Sequence, residues 1–299
     1  MSNSALDFEQ SGTSQATFRS LAETAQQIRE TRGSNAKISL FANYVTGLDE
    51  LEDLRRAAQF IGEGAFSSVS GKKASIGSRT ISTAAARFCE IDYDLVFKPC
   101  RTATGSSSET IEKLMRNLDA ALQKREPADL SLGEVESIFQ QLFEARSREE
   151  KEKLLLAAWG KMTPVEIKYF IRILGQGSLR IGFETKSIVS ALAKAFKRNT
   201  EEVRYAHMIT GSIGKTAVLC RQNRLAEASF KLFHPVSFML ASPIESRSVK
   251  DLGPYLAEEK FDGMRCQVHA KENEVVLFSR DLNEVTRSFP EVIEHFVKR

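Results

Sequence analysis

EEKFDGMR, at residues 258–265, is the segment from which the chemistry of this 299-residue chain is predicted. If the segment is a strand, Glu258, Lys260 and Asp262 lie on the same face, because side chains alternate along a strand. Gly263 then makes the turn that ends it. These residues alone leave two interpretations open: an exposed hairpin with ordinary surface charges, or a reactive site.

Lys260 is the candidate nucleophile of this segment. A lysine attacks only as the neutral amine, so a reactive lysine needs a pKa lowered by burial or by neighbouring positive charge. Arg265, just after the turn, can supply positive charge and can also grip a phosphate. Gly263 would let the backbone approach a ligand closely.

Alternating segments on both sides of the turn predict short strands. They cover residues 255–260, 266–270 and 274–279, and tight turns separate them. From Phe18 to about residue 232 the pattern is helical instead, with apolar residues three and four positions apart. We therefore expect helices to give way to a mixed α/β region near residues 225–235.

The expected organisation has three parts. Residues 1–15 are polar and rich in small side chains, which is typical of a loose N-terminal arm. Residues 16–230 form a helical domain, and residues 235–299 form the second domain. One helix start is explicit at TPVE, residues 163–166: the threonine can cap, proline suits the first helical position, and the glutamate can complete a capping box.

The helical domain contains a faint internal repeat with an offset of 105–108 residues. Residues 76–106 and 181–212 each contain a glycine loop, an alanine-rich helix, a second helix and a Thr-Gly-Ser turn. The alternative is chance similarity between alanine-rich helices. Trp159, Tyr169 and Phe170 are expected to be core side chains and not base-stacking platforms.

Composition excludes several classes of protein. Hydrophobic residues make up 42% and charged residues 27%, as in soluble globular proteins. No segment approaches the roughly 18 apolar residues of a membrane span, and the first residues do not have the order of a signal peptide. The four cysteines form no Cys-x-x-Cys pair and the four histidines have no zinc spacing, so we expect reduced thiols, an intracellular protein and no metal ligands in this chain.

Lys-x-Asp-Gly-x-Arg resembles motif I of the covalent nucleotidyltransferases, which are DNA ligases, RNA ligases and mRNA capping enzymes. The flanking sequences, taken in their order, resemble those of the ATP-dependent DNA ligases. They are LRIG at 179–182, HMITG at 207–211, PVSFMLA at 235–241, FSR at 278–280 and FPE at 289–291. An RNA ligase or a capping enzyme shares motif I but does not explain the long helical region.

This resemblance implies an all-α DNA-binding domain followed by a partial α+β nucleotidyltransferase (adenylation) domain. It implies that Lys260 is the adenylated residue and forms lysyl-AMP. By position, Glu258 matches the residue that hydrogen-bonds the adenine amino group, and Arg265 and Arg280 match arginines that contact the ribose and phosphates.

The resemblance also implies the cofactors and partners. ATP is the AMP donor, and Mg²⁺ neutralises the phosphates, with its ligands expected outside this chain. We expect the chain to be the N-terminal part of a longer ligase, without the later adenylation motifs and the OB-fold domain. The substrate is nicked double-stranded DNA, bound by a monomer in the cytoplasm or nucleoid of a bacterium or archaeon, or in a eukaryotic nucleus. The alternative is a non-catalytic fragment that only binds nicked or duplex DNA.

Two basic clusters in the repeat units would bind that DNA. Between residues 186 and 224 there are eight Lys or Arg against two Glu, and between residues 69 and 88 there are four and no acid. Exposed glycine loops and helix N-termini could also present N–H groups to phosphates. The candidate DNA contacts are Lys72, Lys73, Arg79, Arg180, Lys186 and Lys215. The alternative is two solvated helix faces.

One glycine-rich segment is not expected to bind nucleotide. GSIGKT, at residues 211–216, has two residues between its glycines where a phosphate-binding P-loop has four. It also lies between helices and not after a strand.

Overall fold

A computed structural model of the chain describes residues 16–73, 76–175, 179–236, 238, 254, 256 and 258–297. The predicted N-terminal arm, residues 1–15, lies outside the described residues, as do Ser237 and residues 239–241 of the PVSFMLA segment. Up to Gln222 the described residues form helices and the segments that connect them, and a two-stranded sheet with one further helix follows. The predicted fold class, an all-α region followed by a partial α+β domain, is confirmed.

The helices of the first region are α1 Phe18–Glu30, α2 Ser34–Thr46, α3 Leu51–Gly62, α4 Ser78–Phe88, α5 Lys98–Thr104, α6 Ser107–Asn117, α7 Asp119–Gln123, α8 Leu132–Glu144, α9 Arg148–Gly160, α10 Pro164–Leu174, α11 Thr185–Ala195, α12 Thr200–Thr210 and α13 Ile213–Gln222. A π-helical turn, Tyr93–Phe97, leads into α5. None of the described helices is both long enough and apolar enough to cross a membrane.

Helix α10 begins at the predicted capping box. Thr163 Oγ1 accepts a hydrogen bond from the Glu166 backbone N–H at 3.3 Å, and Glu166 Oε2 accepts one from the Thr163 N–H at 2.8 Å. Pro164 occupies the first helical position, where its missing N–H costs nothing. The sequence prediction of this helix start is confirmed.

Helix α10 is the centre of the helical core, and every residue from 166 to 174 is buried. It packs against α1 and α6. The Phe170 ring lies edge-on to Phe18 and stacks on Phe139 with ring centroids 4.8 Å apart. Trp159, Tyr169 and Phe170 are buried core side chains, as predicted.

Charged side chains of α10 are buried among partners from α1 and α6. Lys168, with no exposed surface, donates to Glu112 Oε2 at 2.7 Å and to Gln26 Oε1 at 2.6 Å. Arg172 donates to Ser108 Oγ at 3.0 Å and is paired with Glu109. Buried charges are tolerated because each has a counterion and further hydrogen bonds.

The helices that follow the two copies of the repeat pack in a reciprocal way. Helices α4 and α5 belong to the first copy, and α11 and α12 to the second; α6 and α13 come directly after them. Helix α6, after the first copy, packs against α10, which precedes the second. In the same way α13, after the second copy, packs against α3, which precedes the first.

The second region is built on a hairpin of β1 Cys266–Lys271 and β2 Glu274–Ser279, followed by helix α14 Pro290–Val297. The strands are antiparallel, with Cys266 opposite Ser279 and Lys271 opposite Glu274. The predicted strands at 266–270 and 274–279 are therefore confirmed.

The prediction of a strand over 255–260 is wrong for the part that the structure describes. Residues 258–260 have no regular secondary structure and are exposed. The physical reason is that a strand needs a hydrogen-bonding partner. Among the described residues, β1 pairs with β2 alone and no strand lies beside residues 258–265.

Candidate functional site

The Lys260 segment is an exposed, irregular stretch that enters β1. Glu258, Lys260, Asp262 and Arg265 are all exposed. Gly263 has φ +151°, in a region that side-chain-bearing residues rarely adopt, and a Cβ placed on it would meet nothing within 4 Å. Gly263 is therefore required for the backbone conformation of the turn and not for a close contact.

Apolar side chains stand on both sides of Lys260. The exposed fraction is 92% for Leu256, 87% for Phe261 and 56% for Met264.

Arg265 and Arg280 flank the last residue pair of the hairpin ladder. Cys266 and Ser279 form the last pair of the ladder, so Arg265 and Arg280 are the next residues outward on the two strands. Beyond β2 the chain turns at once, with the Leu282 N–H bonded to the Ser279 carbonyl oxygen at 3.0 Å. The Arg280 guanidinium lies 4.6 Å from the centre of the Phe238 ring. Arg265 and Arg280 thus both lie at the end of the hairpin nearest to Lys260 in the chain.

The structure does not bring Glu258 into contact with Lys260. Among the described residues, no hydrogen bond or ion pair joins Glu258, Lys260, Asp262 or Arg265 to another group. The Lys260 side chain is open to solvent. The roles of Lys260, Glu258, Arg265 and Arg280 stay predictions.

The candidate DNA contacts of the first cluster are exposed and partly engaged. Lys72 donates to Gln140 Oε1 at 3.2 Å. Lys73 donates to Asn283 Oδ1, next to the hairpin. The Arg79 guanidinium lies 4.1 Å from the centre of the Tyr93 ring. These side chains remain accessible to a phosphate, but the structure assigns none of them to DNA.

Of the remaining candidates, two lie at the starts of helices. Lys186 is exposed in the first turn of α11, and Lys215 is exposed in the first turn of α13. Arg180 precedes α11 in a loop and has φ +54°. A positive φ at a residue other than glycine is uncommon and is often found at binding sites.

Two cations that the sequence analysis did not single out hold the Arg180 loop. Lys37 donates to the carbonyl oxygens of Ile181, at 2.6 Å, and Gly182, at 3.2 Å. Arg172 donates to the carbonyl oxygen of Leu179 at 2.8 Å. No local pattern marks Lys37, because the loop that it holds lies far away in the sequence.

The expectation of exposed glycine loops is right at Gly105 in the first repeat and at Gly182 in the second, and wrong at Gly211. Gly105, which ends α5, is exposed, whereas Gly211, which ends α12, is buried. Val69 and the Pro235 carbonyl group lie against Gly211 and cover it. These contacts come from distant residues, so the repeat pattern could not predict them.

Cysteines and histidines form no site in the part of the chain that the structure describes. No group of three or more metal-binding side chains is found there. The four cysteines are free, and burial raises the pKa of the Cys89 thiol to about 11 and that of Cys220 to about 12. Both thiols are therefore protonated and unreactive at neutral pH.

Comparison with known families assigns both regions. The family model described as DNA ligase N terminus matches residues 17–193, and the one described as ATP dependent DNA ligase domain matches residues 238–299. The second match contains the Lys260 segment and the hairpin.

Curated relatives give the same result. The chain is 31% identical over 284 residues to a probable DNA ligase of Koribacter versatilis, covering 91% of this chain and 46% of that protein. It is 30% identical over 291 residues to DNA ligase 2 of Methanosarcina acetivorans, with coverages of 93% and 51%. It is 30% identical over 298 residues to a DNA ligase of Methanothrix thermoacetophila, with coverages of 93% and 50%. The chain spans about half the length of these relatives.

Proposed function

We infer the function from one premise: this chain belongs to the ATP-dependent DNA ligase family. We propose that its protein seals nicks in duplex DNA, joining a 3′-hydroxyl to a 5′-phosphate. The observation that carries the proposal is the sequence KFDGMR, at residues 260–265, within the stretch that matches the ATP dependent DNA ligase domain.

The proposed chemistry has three steps. The neutral Lys260 Nζ attacks the α-phosphorus of ATP, an N–P bond forms, the bond from that phosphorus to the bridging oxygen breaks, and pyrophosphate leaves. The 5′-phosphate of the nick then takes AMP from the lysine. Finally the 3′-hydroxyl attacks that 5′-phosphorus, and AMP leaves as the phosphodiester forms.

Arg265 and Arg280 are proposed to bind the nucleotide's ribose and phosphates. Their positions next to Cys266 and Ser279, the last pair of the ladder, support this role, because guanidinium groups bind phosphates well. Glu258, two residues before the lysine, is proposed to accept a hydrogen bond from the adenine amino group.

Mg²⁺ is proposed as the metal of the reaction, where it would neutralise phosphate charge. The residues that the structure describes offer no cluster of three candidate ligands, so no step is assigned to a metal held by them. The protein is proposed to act as an intracellular monomer in DNA repair, replication or recombination.

The helical region is proposed to bind the duplex around the nick through Lys72, Lys73, Arg79, Arg180, Lys186 and Lys215. Their exposure, and the position of Arg79 and Lys186 within the two repeat units, support this proposal. Contacts to phosphates carry no sequence information, which suits an enzyme that seals nicks in any sequence.

Labelling with ATP that carries the label on its α-phosphate tests the proposed chemistry. We expect the protein to become labelled and Lys260→Ala to abolish the label. Lys271→Ala is the matched control, because Lys271 is an exposed lysine on the adjacent strand, and it should label like the parent. Equal labelling of the Lys260 variant would contradict the proposal.

A second candidate function is binding of nicked or duplex DNA by the 299-residue chain without catalysis. The exposure of Lys260, and the absence of partners for it among the described residues, favour this candidate. It predicts salt-sensitive DNA affinity without self-adenylation. Stable self-adenylation of the 299-residue chain would reject it.

A further inference from the structure

The two Thr-Gly-Ser turns of the repeat have the same internal hydrogen bonds. In the first, Thr104 Oγ1 donates to the Ser106 carbonyl oxygen at 3.1 Å, and in the second, Thr210 Oγ1 donates to the Ser212 carbonyl oxygen at 3.2 Å. The central glycines, Gly105 and Gly211, have φ of +68° and +61°. Each donates its N–H to the last turn of the preceding helix at 2.9 Å. The turns are thus two copies of one structure.

Their surroundings are different. A Cβ on Gly105 would meet nothing within 4 Å. A Cβ on Gly211 would lie 2.7 Å from Val69 Cγ1 and 2.8 Å from the Pro235 carbonyl oxygen, and real Cβ atoms do not come that close. Only a glycine therefore allows these two groups to pack on the second turn.

Glu63 joins the second turn to the segment that carries Val69. Its Oε1 accepts hydrogen bonds from Ser212 Oγ, at 3.0 Å, and from the Gly214 N–H, at 3.1 Å. Its Oε2 accepts from Ser67 Oγ at 2.8 Å and from the Ser68 N–H at 2.6 Å. One carboxylate thus caps α13 and fixes the neighbouring loop against it.

The connector, residues 233–236, is held from its other side by β1. The Phe233 N–H donates to His269 Nδ1 at 3.0 Å. Gln267 uses both ends of its amide: Oε1 accepts from the Val236 N–H at 3.0 Å, and Nε2 donates to the Val236 carbonyl oxygen at 2.5 Å. Gln267 and His269 are two residues apart and share one face of the strand. The connector therefore lies between the Gly211 turn and the hairpin.

We propose that the Gly211 turn is the docking seat of the connector, and that this docking sets where the Lys260 segment lies relative to the helices that carry the basic clusters. The second part of this statement rests on the proposed function, because only a ligase needs Lys260 and the DNA-binding surface in one arrangement. The first repeat keeps its turn open, whereas the second uses the same turn for the connector.

Amide hydrogen exchange of the 299-residue chain tests the docking, measured at Phe233 and Val236. Gly211→Ala is compared with Gly105→Ala, which introduces the same side chain at the same backbone conformation but meets no neighbour. We expect exchange at both amides to be about tenfold faster in the Gly211 variant, since local opening governs exchange. The Gly105 variant should exchange there like the parent. Equal rates in the two glycine variants would overturn the proposal.

Gln267→Ala provides a test that leaves the helical turn untouched. It removes both hydrogen bonds to Val236, so exchange at the Val236 amide should become faster by about tenfold. Unchanged exchange there would show that the connector is not held, whether or not the Gly211 variant folds. Lys260→Ala should abolish labelling by ATP and leave exchange unchanged, so failure of the ligase proposal and failure of the docking are separate results.

Discussion

His269 is a buried histidine that acts as a hydrogen-bond acceptor. It lies against the rings of Phe230 and Phe278, and its Nδ1 accepts the N–H of Phe233. An acceptor nitrogen must be unprotonated. Burial lowers the pKa of His269, and the electrostatic effect of the neighbouring His234 lowers it further, so the neutral form is favoured at neutral pH.

This gives a prediction for the pH dependence of stability. The pKa of His269 is lower in the folded state than the value of about 6.5 that a histidine has in the unfolded state. His269 therefore costs no stability above about pH 6.5, and the free energy of unfolding falls as the pH drops below that value. His269→Asn should reduce the loss of stability between about pH 7 and 5, measured by urea unfolding. His295→Asn, at an exposed histidine of α14, should leave the loss unchanged. The same loss in both variants would contradict this account of His269.

Lys168 and Glu112 give a second prediction for single residues. Glu112→Gln keeps the shape of the side chain but removes the counterion of a lysine that has no exposed surface. We expect the free energy of unfolding to fall by about 3 kcal/mol. Glu149→Gln is the matched control, because Glu149 forms an exposed ion pair with Lys153 and should cost less than about 1 kcal/mol. Equal costs would show that the buried pair contributes no more than the exposed one.

Among the helices, α10 has a capping box at its start, and we expect this cap to make a measurable contribution to stability. Thr163→Ala removes the side-chain cap of the central core helix and should lower the free energy of unfolding by about 1 kcal/mol. Thr102→Ala, at an exposed position of α5, is the control and should change it by less than about 0.5 kcal/mol. Similar values for the two variants would mean that the cap is not needed.

Elements whose causes are local could be predicted from the sequence. The start of α10 depends on four consecutive residues, 163–166, and the two strands of the hairpin depend on their own alternation. Alternation alone was not enough to predict whether residues 255–260 form a strand, because a strand also needs a hydrogen-bonding partner. The burial of Gly211 depends on Val69 and Pro235, which come from two other segments of the chain.

The residues of the candidate site could be predicted from the sequence, but the contacts that hold its loops could not. The pattern around Lys260 identified which residues to consider, and the positions of Arg265 and Arg280 follow from the hairpin register. The support of the Arg180 loop by Lys37 could not be predicted, because a single lysine on α2 has no distinguishing neighbours in the sequence. Contacts such as this one, between distant segments of the chain, could not be predicted from local sequence patterns.

At the scale of the whole molecule, the basic clusters predict how DNA binding depends on salt. If Lys186 contacts a phosphate, Lys186→Ala should weaken binding of nicked duplex and reduce the slope of log affinity against log salt by about one. Lys153→Ala is the control, because Lys153 is exposed and lies outside both clusters. Equal slopes for the two variants would remove Lys186 from the proposed surface.

The central claim is that Lys260 forms a covalent bond with AMP. The most direct measurement is tandem mass spectrometry of peptides from the protein after incubation with ATP and Mg²⁺. We predict that the added AMP lies on Lys260 and on no other lysine. AMP on a different residue, or an unmodified Lys260 in a protein that seals nicks, would contradict the claim.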